Sequence, residues 1–265
     1  MKKFWFILTA LVATCFLVAC SGSQGVNTKT IKEKKKIVVA TESEFAPFEF
    51  KSLVNGKDTL VGADIELAKA IGEKLGVKVE FSVMSFDNVL ASVQSGKSDI
   101  AIAGISVTDE RKKVYDFSDS YYTSENVVIV KKDKVNDFTS ADSLAKQTVG
   151  TQKGSVQETV AKKQISKASV VSLASNGEMI NELKSGQIQA VVLEKAIAEG
   201  YIAQNDDLTL ANFNLKSDGS DAYAVATRKG SDDLLKEINT VIKETKDSGQ
   251  FDQWLKEASS YKQSK

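Results

Sequence analysis

Only two arginines, Arg111 and Arg228, stand among the 35 Lys and Arg of this 265-residue chain. Arg111 closes AIAGISVTDER (101–111), just past an apolar run. Thr108 can cap a short helix there, with Asp109 and Glu110 in its first turn. Arg111 then sits near the positive end of the helix dipole, where a cation gains little locally. Its planar fork can bind a carboxylate through two parallel hydrogen bonds, which lysine cannot do; a structural ion pair is the competing use. KGSVQE (153–158) offers a second anion donor. Ser155 and Glu158 fit the S-x-x-E capping box, Gly154 permits close backbone approach, and amides at such a turn attract negative charge. A capping box alone marks only a helix start, and the stretch does not match a phosphate-binding loop. Carboxylates supply the opposite charge. Glu194 ends an apolar strand, either as an acceptor for an ammonium or as an ordinary strand-end residue. Glu42 and Phe45 follow the first strand in a loop holding Pro47, the chain's single proline. Phe86, at the start of a helix, can face Phe45 across a pocket, although either ring equally suits a core.

Composition removes other chemistries. Histidine is absent, and Cys15 and Cys20 both lie in the N-terminal segment. The folded body therefore has no histidine base, no histidine or thiolate metal site and no disulfide, and neither metal nor cofactor is expected. Acidic and basic residues balance at 35 each without a basic stripe, so nucleic acid is not an expected partner.

The elements that must position these residues form a regular series. IVVAT reads as a strand. ADIELAKAIGEKLG reads as a helix, capped by Asp64, with Ile65, Ala68, Ile71 and Leu75 on one face and Gly76 at its end. VKVEFSV is a strand, FDNVLASVQSG a helix and DIAIAG a buried strand. This alternation predicts an α/β fold with mostly parallel sheets flanked by helices. LASVQSGKSDIAIAG (90–104) aligns without gaps on INELKSGQIQAVVLE (180–194), which points to two lobes of similar plan. NVVIVKK (126–132) and AYAVATRK (222–229) are the candidate crossing strands of a hinge, with the C-terminal helices returning to the first lobe. The expected division is 36–123 with 222–265 for lobe 1 and 124–221 for lobe 2. In such sheets ligands bind beyond the carboxyl ends of the strands, where the residues above fall. Together they describe an α-amino acid: carboxylate to Arg111 and helix amides, ammonium to Glu194, side chain between Phe45 and Phe86.

The N-terminus is a processing signal. Lys2 and Lys3 precede an apolar run that ends in Leu17-Val18-Ala19-Cys20. That ending resembles the bacterial lipoprotein box, which implies a signal peptide over 1–19 and a palmitate-type lipid on the Cys20 sulfur. A plain signal peptide and an uncleaved helix are the alternatives. Residues 20–35 then read as a flexible tether, in which KEKKK (32–36) is a solvated charge run able to face headgroups.

From about Lys36 to Ala258 the chain resembles the periplasmic-type binding proteins that deliver polar amino acids to ABC transporters. ATESEFAPFEF, GADIELAKAIGEKLG and above all FDNVLASVQSGKSDIAIAGISVTDERKKVYDFSDSYY carry the resemblance. It implies a two-lobed fold that closes on its ligand, an ABC permease as partner, a monomer, and an extracytoplasmic place on a bacterial membrane. It implies Arg111 and Ser155 for the ligand carboxylate, Gly104 and Ser106 for its backbone groups, Glu194 for the ammonium, Phe45 and Phe86 beside the side chain, and Glu42 as a contact for basic side chains. Arginine or lysine is favoured; glutamine or histidine fits less well. Three positions depart from the family's pattern: Ala63 for a common aromatic, Glu for the usual Asp at 194, and Gly104 for a hydroxyl residue. A few proteins of this fold resemble dehydratases or lyases that use a cleft carboxylate as general acid, which makes an enzyme the second reading; a sensory or adhesive lipoprotein is the third.

Overall fold

A computed structural model describes residues 25–216, 219 and 221–264; Cys20 and the signal segment lie outside them. The chain opens with α1 (Thr28–Lys34) and β1 (Lys36–Thr41). A small sheet follows, β2 (Glu44–Phe45), β3 (Glu49–Val54) and β4 (Lys57–Val61). Next come α2 (Ala63–Leu75), β5 (Lys78–Val83), α3 (Phe86–Gln94), β6 (Ile100–Ala101), α4 (Asp109–Lys112) and β7 (Tyr115–Phe117). After β8 (Tyr122–Thr123) the second half holds β9 (Asn126–Lys131), β10 (Thr148–Gln152), α5 (Val156–Gln164), β11 (Ser169–Leu173), α6 (Asn176–Ser185), β12 (Ala190–Glu194), α7 (Lys195–Ala203) and β13 (Leu208–Leu210). The chain returns through β14 (Ala222–Tyr223) and β15 (Ala226–Arg228) to α8 (Asp232–Asp247) and α9 (Gln250–Ala258).

Two five-stranded sheets share one plan. Their orders are β5-β1-β6-β15-β7 and β11-β10-β12-β9-β13. In each, the first three strands run parallel and the fourth is antiparallel to its neighbours, β15 in one and β9 in the other. The gapless repeat seen in sequence is therefore a structural repeat: α3 leads to β6 as α6 leads to β12. Each sheet is covered on both faces. Apolar side chains of α2 and α8 pack on one face of the first sheet and those of α3 on the other. The second sheet carries α6 and α7 on one face and α5 on the other. The apolar runs Ile37-Val38-Val39 and Val191-Val192-Leu193, rich in β-branched residues, suit strands covered on both sides.

The two lobes are joined by β8 pairing antiparallel with β14, Thr123 to Ala222 and Tyr122 to Tyr223. The first crossing lies a few residues before the expected one: NVVIVK is buried inside the second sheet as β9, because its valines and isoleucine pack on both faces. Ala226–Arg228 likewise belongs to the first sheet, and α8 and α9 pack on α2 as anticipated.

Two expectations are corrected. The stretch read as a tether over 20–35 is folded from Val26 onward. Asn27 caps α1, Ile31 is fully buried, and the Val26 amide donates to the Ser231 hydroxyl at 2.7 Å. Val26 and Ile31 enter the lobe 1 core, and Thr28 bonds to Asp233, which docks the helix despite its charged run. Asp64 does not cap α2 either; Gly62 holds that position. The Asp64 side chain turns inward and accepts from the Gly104 amide at 3.0 Å and the Tyr121 hydroxyl at 2.8 Å.

Candidate functional site

The facing edges of the two lobes bring together loops from the carboxyl ends of the strands. Thr108 caps α4 through its hydroxyl, which accepts from the Arg111 amide at 3.1 Å. This places Arg111 in the first turn, with its side chain turned away from Asp109 and Glu110 of its own helix. Nη1 donates to the Ser106 carbonyl at 2.7 Å, and Nη2 crosses the gap to the Gly154 carbonyl at 3.1 Å. The guanidinium lies over the Phe86 ring, 5.8 Å from its centroid. Burial lowers its pKa to about 10, opposed by the negative charge of Glu194, so it remains a cation at neutral pH.

Gly104 adopts a left-handed φ of 53°. A Cβ there would meet Phe45 Cε1 at 2.5 Å, so the absent side chain makes room for that ring. Phe45 is buried and packs on Phe48 and Tyr223, at 5.8 and 6.3 Å between centroids. Phe86 supports Arg111 rather than pairing with Phe45. Gly104 commits its amide to Asp64.

Across the gap, Ser155 caps α5, accepting from the Glu158 amide at 3.3 Å and donating to the Gln152 carbonyl at 2.7 Å. The reach-back of Glu158 lands on the Gly154 amide at 3.1 Å, one residue earlier than the capping box prescribes. A hollow of about 580 Å³ opens between α4 and α5, lined by Arg111, Gly154 and Ser155 among others.

The acidic side is buried. Glu42 is 4% exposed and Glu194 is 6% exposed. Both Glu42 oxygens accept from Nε2 of Gln152, in the other lobe, at 3.1 Å. Burial raises Glu42 to about 8, assisted by Glu194 and Glu44 and opposed by Gln152. Burial raises Glu194 to about 7, opposed by its own backbone, by the nearby Tyr223 and Gln157 and by the charge of Arg111. Glu49 and Asp64 are fully buried as well. Burial and the charge of Asp64 hold Glu49 well above the usual carboxyl range, while Asp64 rises to about 6. Among the described residues, no salt bridge reaches any of these four carboxyl groups. Of these, Glu42 and Glu194 favour an incoming cation, because a buried carboxylate is costly without a partner, whereas Asp64 already accepts from Gly104 and Tyr121.

Gln152, Tyr223 and the Gln157–Asn126 pair (2.7 Å) were not read from sequence. Gln152 ends β10, so the strand-end rule that selected Glu194 could have found it.

Two apposed α/β lobes on a two-strand crossing, with a guanidinium and buried carboxyls in the gap, define a protein that closes on a small charged solute. The chain belongs to the bacterial extracellular solute-binding proteins, family 3, whose model matches residues 37–258. It is 34% identical over 261 residues to an arginine-binding extracellular protein of Bacillus subtilis, covering 97% of each chain. Its fold is similar, at a TM-score of 0.85 and 50% identity, to an amino acid ABC transporter substrate-binding protein of Streptococcus pneumoniae bound to L-arginine, over 87% of this chain and 97% of that one. It is also similar, at a TM-score of 0.78 and 34% identity, to an ancestral amino-acid-binding protein that is a precursor of cyclohexadienyl dehydratase, over 87% of this chain and 98% of that one.

Proposed function

We propose that this chain is a lipid-anchored extracytoplasmic receptor that captures L-arginine, or a similar basic amino acid, and delivers it to an ABC permease. The arrangement that carries the reading is Arg111 reaching across the gap, with the buried Glu194 close enough to act on its charge and the buried Glu42 bonded to Gln152 of the other lobe. A free amino acid carries both charges. Its carboxylate replaces the Gly154 carbonyl as the acceptor of the Arg111 fork and gains from a charge-assisted pair. Its ammonium goes to Glu194, and a cationic side chain goes to Glu42, which exchanges its Gln152 bond for a guanidinium. Phe45 walls the side chain, while Phe86 holds Arg111 in place. Ser106 and the Gly104 carbonyl line the ligand backbone, and Ser155 fixes the α5 turn. The relatives that bind arginine support this choice over glutamine or histidine.

The lipid on Cys20 and the 1–19 signal peptide belong to the same reading. The folding of 26–35 takes those residues out of the tether. Intact mass of the protein purified from membranes tests the anchor: a diacylated Cys20 at the mature N-terminus supports it, and an unmodified chain refutes it.

The chain acts without a reaction. One observation favours the enzymatic alternative: Glu42 and Glu194, at about 8 and 7, titrate where a general acid works, on a fold similar to a dehydratase precursor. Turnover of a prephenate-type substrate would establish that alternative, whereas saturable L-arginine binding without turnover supports the receptor.

A further inference from the structure

We infer that two interlobe contacts made by residues outside the proposed ligand groups, the Asp87–Lys153 ion pair and the seat of Glu44 on α6, are closure latches that hold the lobes together and thereby set ligand affinity. The inference rests on the capture reading only for its link to affinity; the contacts themselves are interlobe geometry.

The first latch joins α3 of lobe 1 to the β10–α5 turn of lobe 2. Lys153 Nζ lies 2.8 Å from Asp87 Oδ2. Asp87 is prepared for this partner on its own lobe: its Oδ1 accepts from the Ser85 hydroxyl at 2.6 Å and from Asn88 Nδ2 at 3.3 Å, which leaves Oδ2 to face the gap. Its side chain is 20% exposed against 60% for Lys153. The lobes approach closely at this point, since a Cβ on Gly154 would stand 3.4 Å from the Asp87 Cα.

The second latch joins β2 to α6 and α7. Glu44 Oε2 accepts from the Gly177 amide, in the first turn of α6, at 3.0 Å, where the helix dipole favours a carboxylate. The Glu44 carbonyl accepts from the Tyr201 hydroxyl of α7 at 3.1 Å. Because α5 covers one face of the second sheet and α6 and α7 the other, the latches hold lobe 2 from both faces. Each contact joins residues of different lobes, so rotation about the β8–β14 crossing breaks both. Energy they contribute to the closed state appears as ligand affinity, because the ligand closes the same gap.

The test uses the full chain with Asp87→Lys, Lys153→Asp and the double reversal, with L-arginine as probe. An exposed ion pair shifts an equilibrium by up to about fivefold, and reversal adds repulsion. Each single variant is therefore expected to weaken L-arginine binding by about three- to tenfold, mainly through faster dissociation. The double variant is expected within about twofold of the native protein. In the ligand-free protein, amide hydrogen exchange over 152–158 should quicken in both singles and recover in the double. Glu44→Ala should quicken exchange over 174–180 in the same way. Unchanged exchange in the single variants overturns the first latch, unchanged exchange in Glu44→Ala overturns the second, and loss in the singles without recovery in the double overturns the pairing. Failure of the native protein to bind L-arginine is a separate result that refutes the capture reading alone.

Discussion

The Arg111 guanidinium bridges the two lobes by donating to the carbonyl oxygen of Gly154, 43 positions away in sequence, at 3.1 Å. Its other nitrogen holds the Ser106 carbonyl, at 2.7 Å, and the Phe86 ring lies beneath it. Both acceptors are neutral. A carboxylate in the gap would be the stronger partner, which is why the side chain suits a ligand better than a permanent structural pair.

Arg111→Lys keeps the charge and loses the fork. Charge-assisted hydrogen bonds contribute about 1.5–3 kcal/mol each, so amino-acid affinity is expected to fall by about tenfold to a hundredfold, with the melting temperature nearly unchanged. Titration calorimetry and a thermal melt measure the two together; near-native affinity would remove Arg111 from the carboxylate site.

Glu42→Gln separates basic from neutral ligands. The variant is expected to lose about tenfold or more for L-arginine and much less for L-glutamine. With Glu42 raised to about 8 in the absence of ligand, a cation must draw a proton from it on binding near neutral pH. Calorimetry in buffers of different ionisation enthalpy should therefore show proton release by the native protein and little by the variant, and L-arginine affinity should rise between about pH 6 and 8.

The same carboxyls govern stability without ligand. Glu42 and Glu194 titrate at about 8 and 7 in the folded chain, against 4.5 for an ordinary glutamate. The folded state therefore holds protons that the unfolded chain has released. Their contribution is full below pH 4.5 and is lost as the pH rises through 7 and 8. The melting temperature is expected to fall between pH 5 and 8.5, by roughly 2–4 °C for each kcal/mol, with a smaller fall in Glu42→Gln. A rising melting temperature over that window would contradict the burial of these groups.

Gly104→Ala tests how the ligand wall is built. The added Cβ meets Phe45 Cε1 at 2.5 Å, and the backbone sits at a φ of 53°. Strain and displacement together are expected to cost about 1–3 kcal/mol of stability, with weaker binding, in an unfolding titration. An unaffected variant would show that the ring yields freely.

What could be read from the sequence was local or periodic. The Thr108 cap, the α2 face of Ile65, Ala68, Ile71 and Leu75, the Ser155 cap and the gapless α3–β6 and α6–β12 repeat follow from neighbours a few residues apart. What could not be read spans the lobes. Gln152 meets Glu42 across 110 positions and Gly177 meets Glu44 across 133, and nothing in either stretch marks its partner. Asp64 had the residue type and place of a cap, but tertiary contacts with Gly104 and Tyr121 outweighed the local preference. Residues 28–34 read as tether by their charge, yet the buried Ile31, the bonds of Thr28 to Asp233 and the Lys34–Asp99 pair tie them down. The shift of the hinge to Tyr122 and Thr123 has a similar cause: a run as apolar as Val127 to Val130 is drawn into a sheet core rather than left to cross between lobes.

The central claim is that the gap holds an amino acid by both of its charges and favours a second positive charge at Glu42. Titration calorimetry of the native protein with L-arginine, L-lysine, L-glutamine, L-histidine and agmatine, which lacks the carboxylate, tests it most directly. The account predicts tight binding of L-arginine, weaker binding of L-lysine, weaker still of L-glutamine and L-histidine, and none of agmatine. Binding of agmatine as tight as that of L-arginine, or equal affinity for L-glutamine and L-arginine, would contradict it.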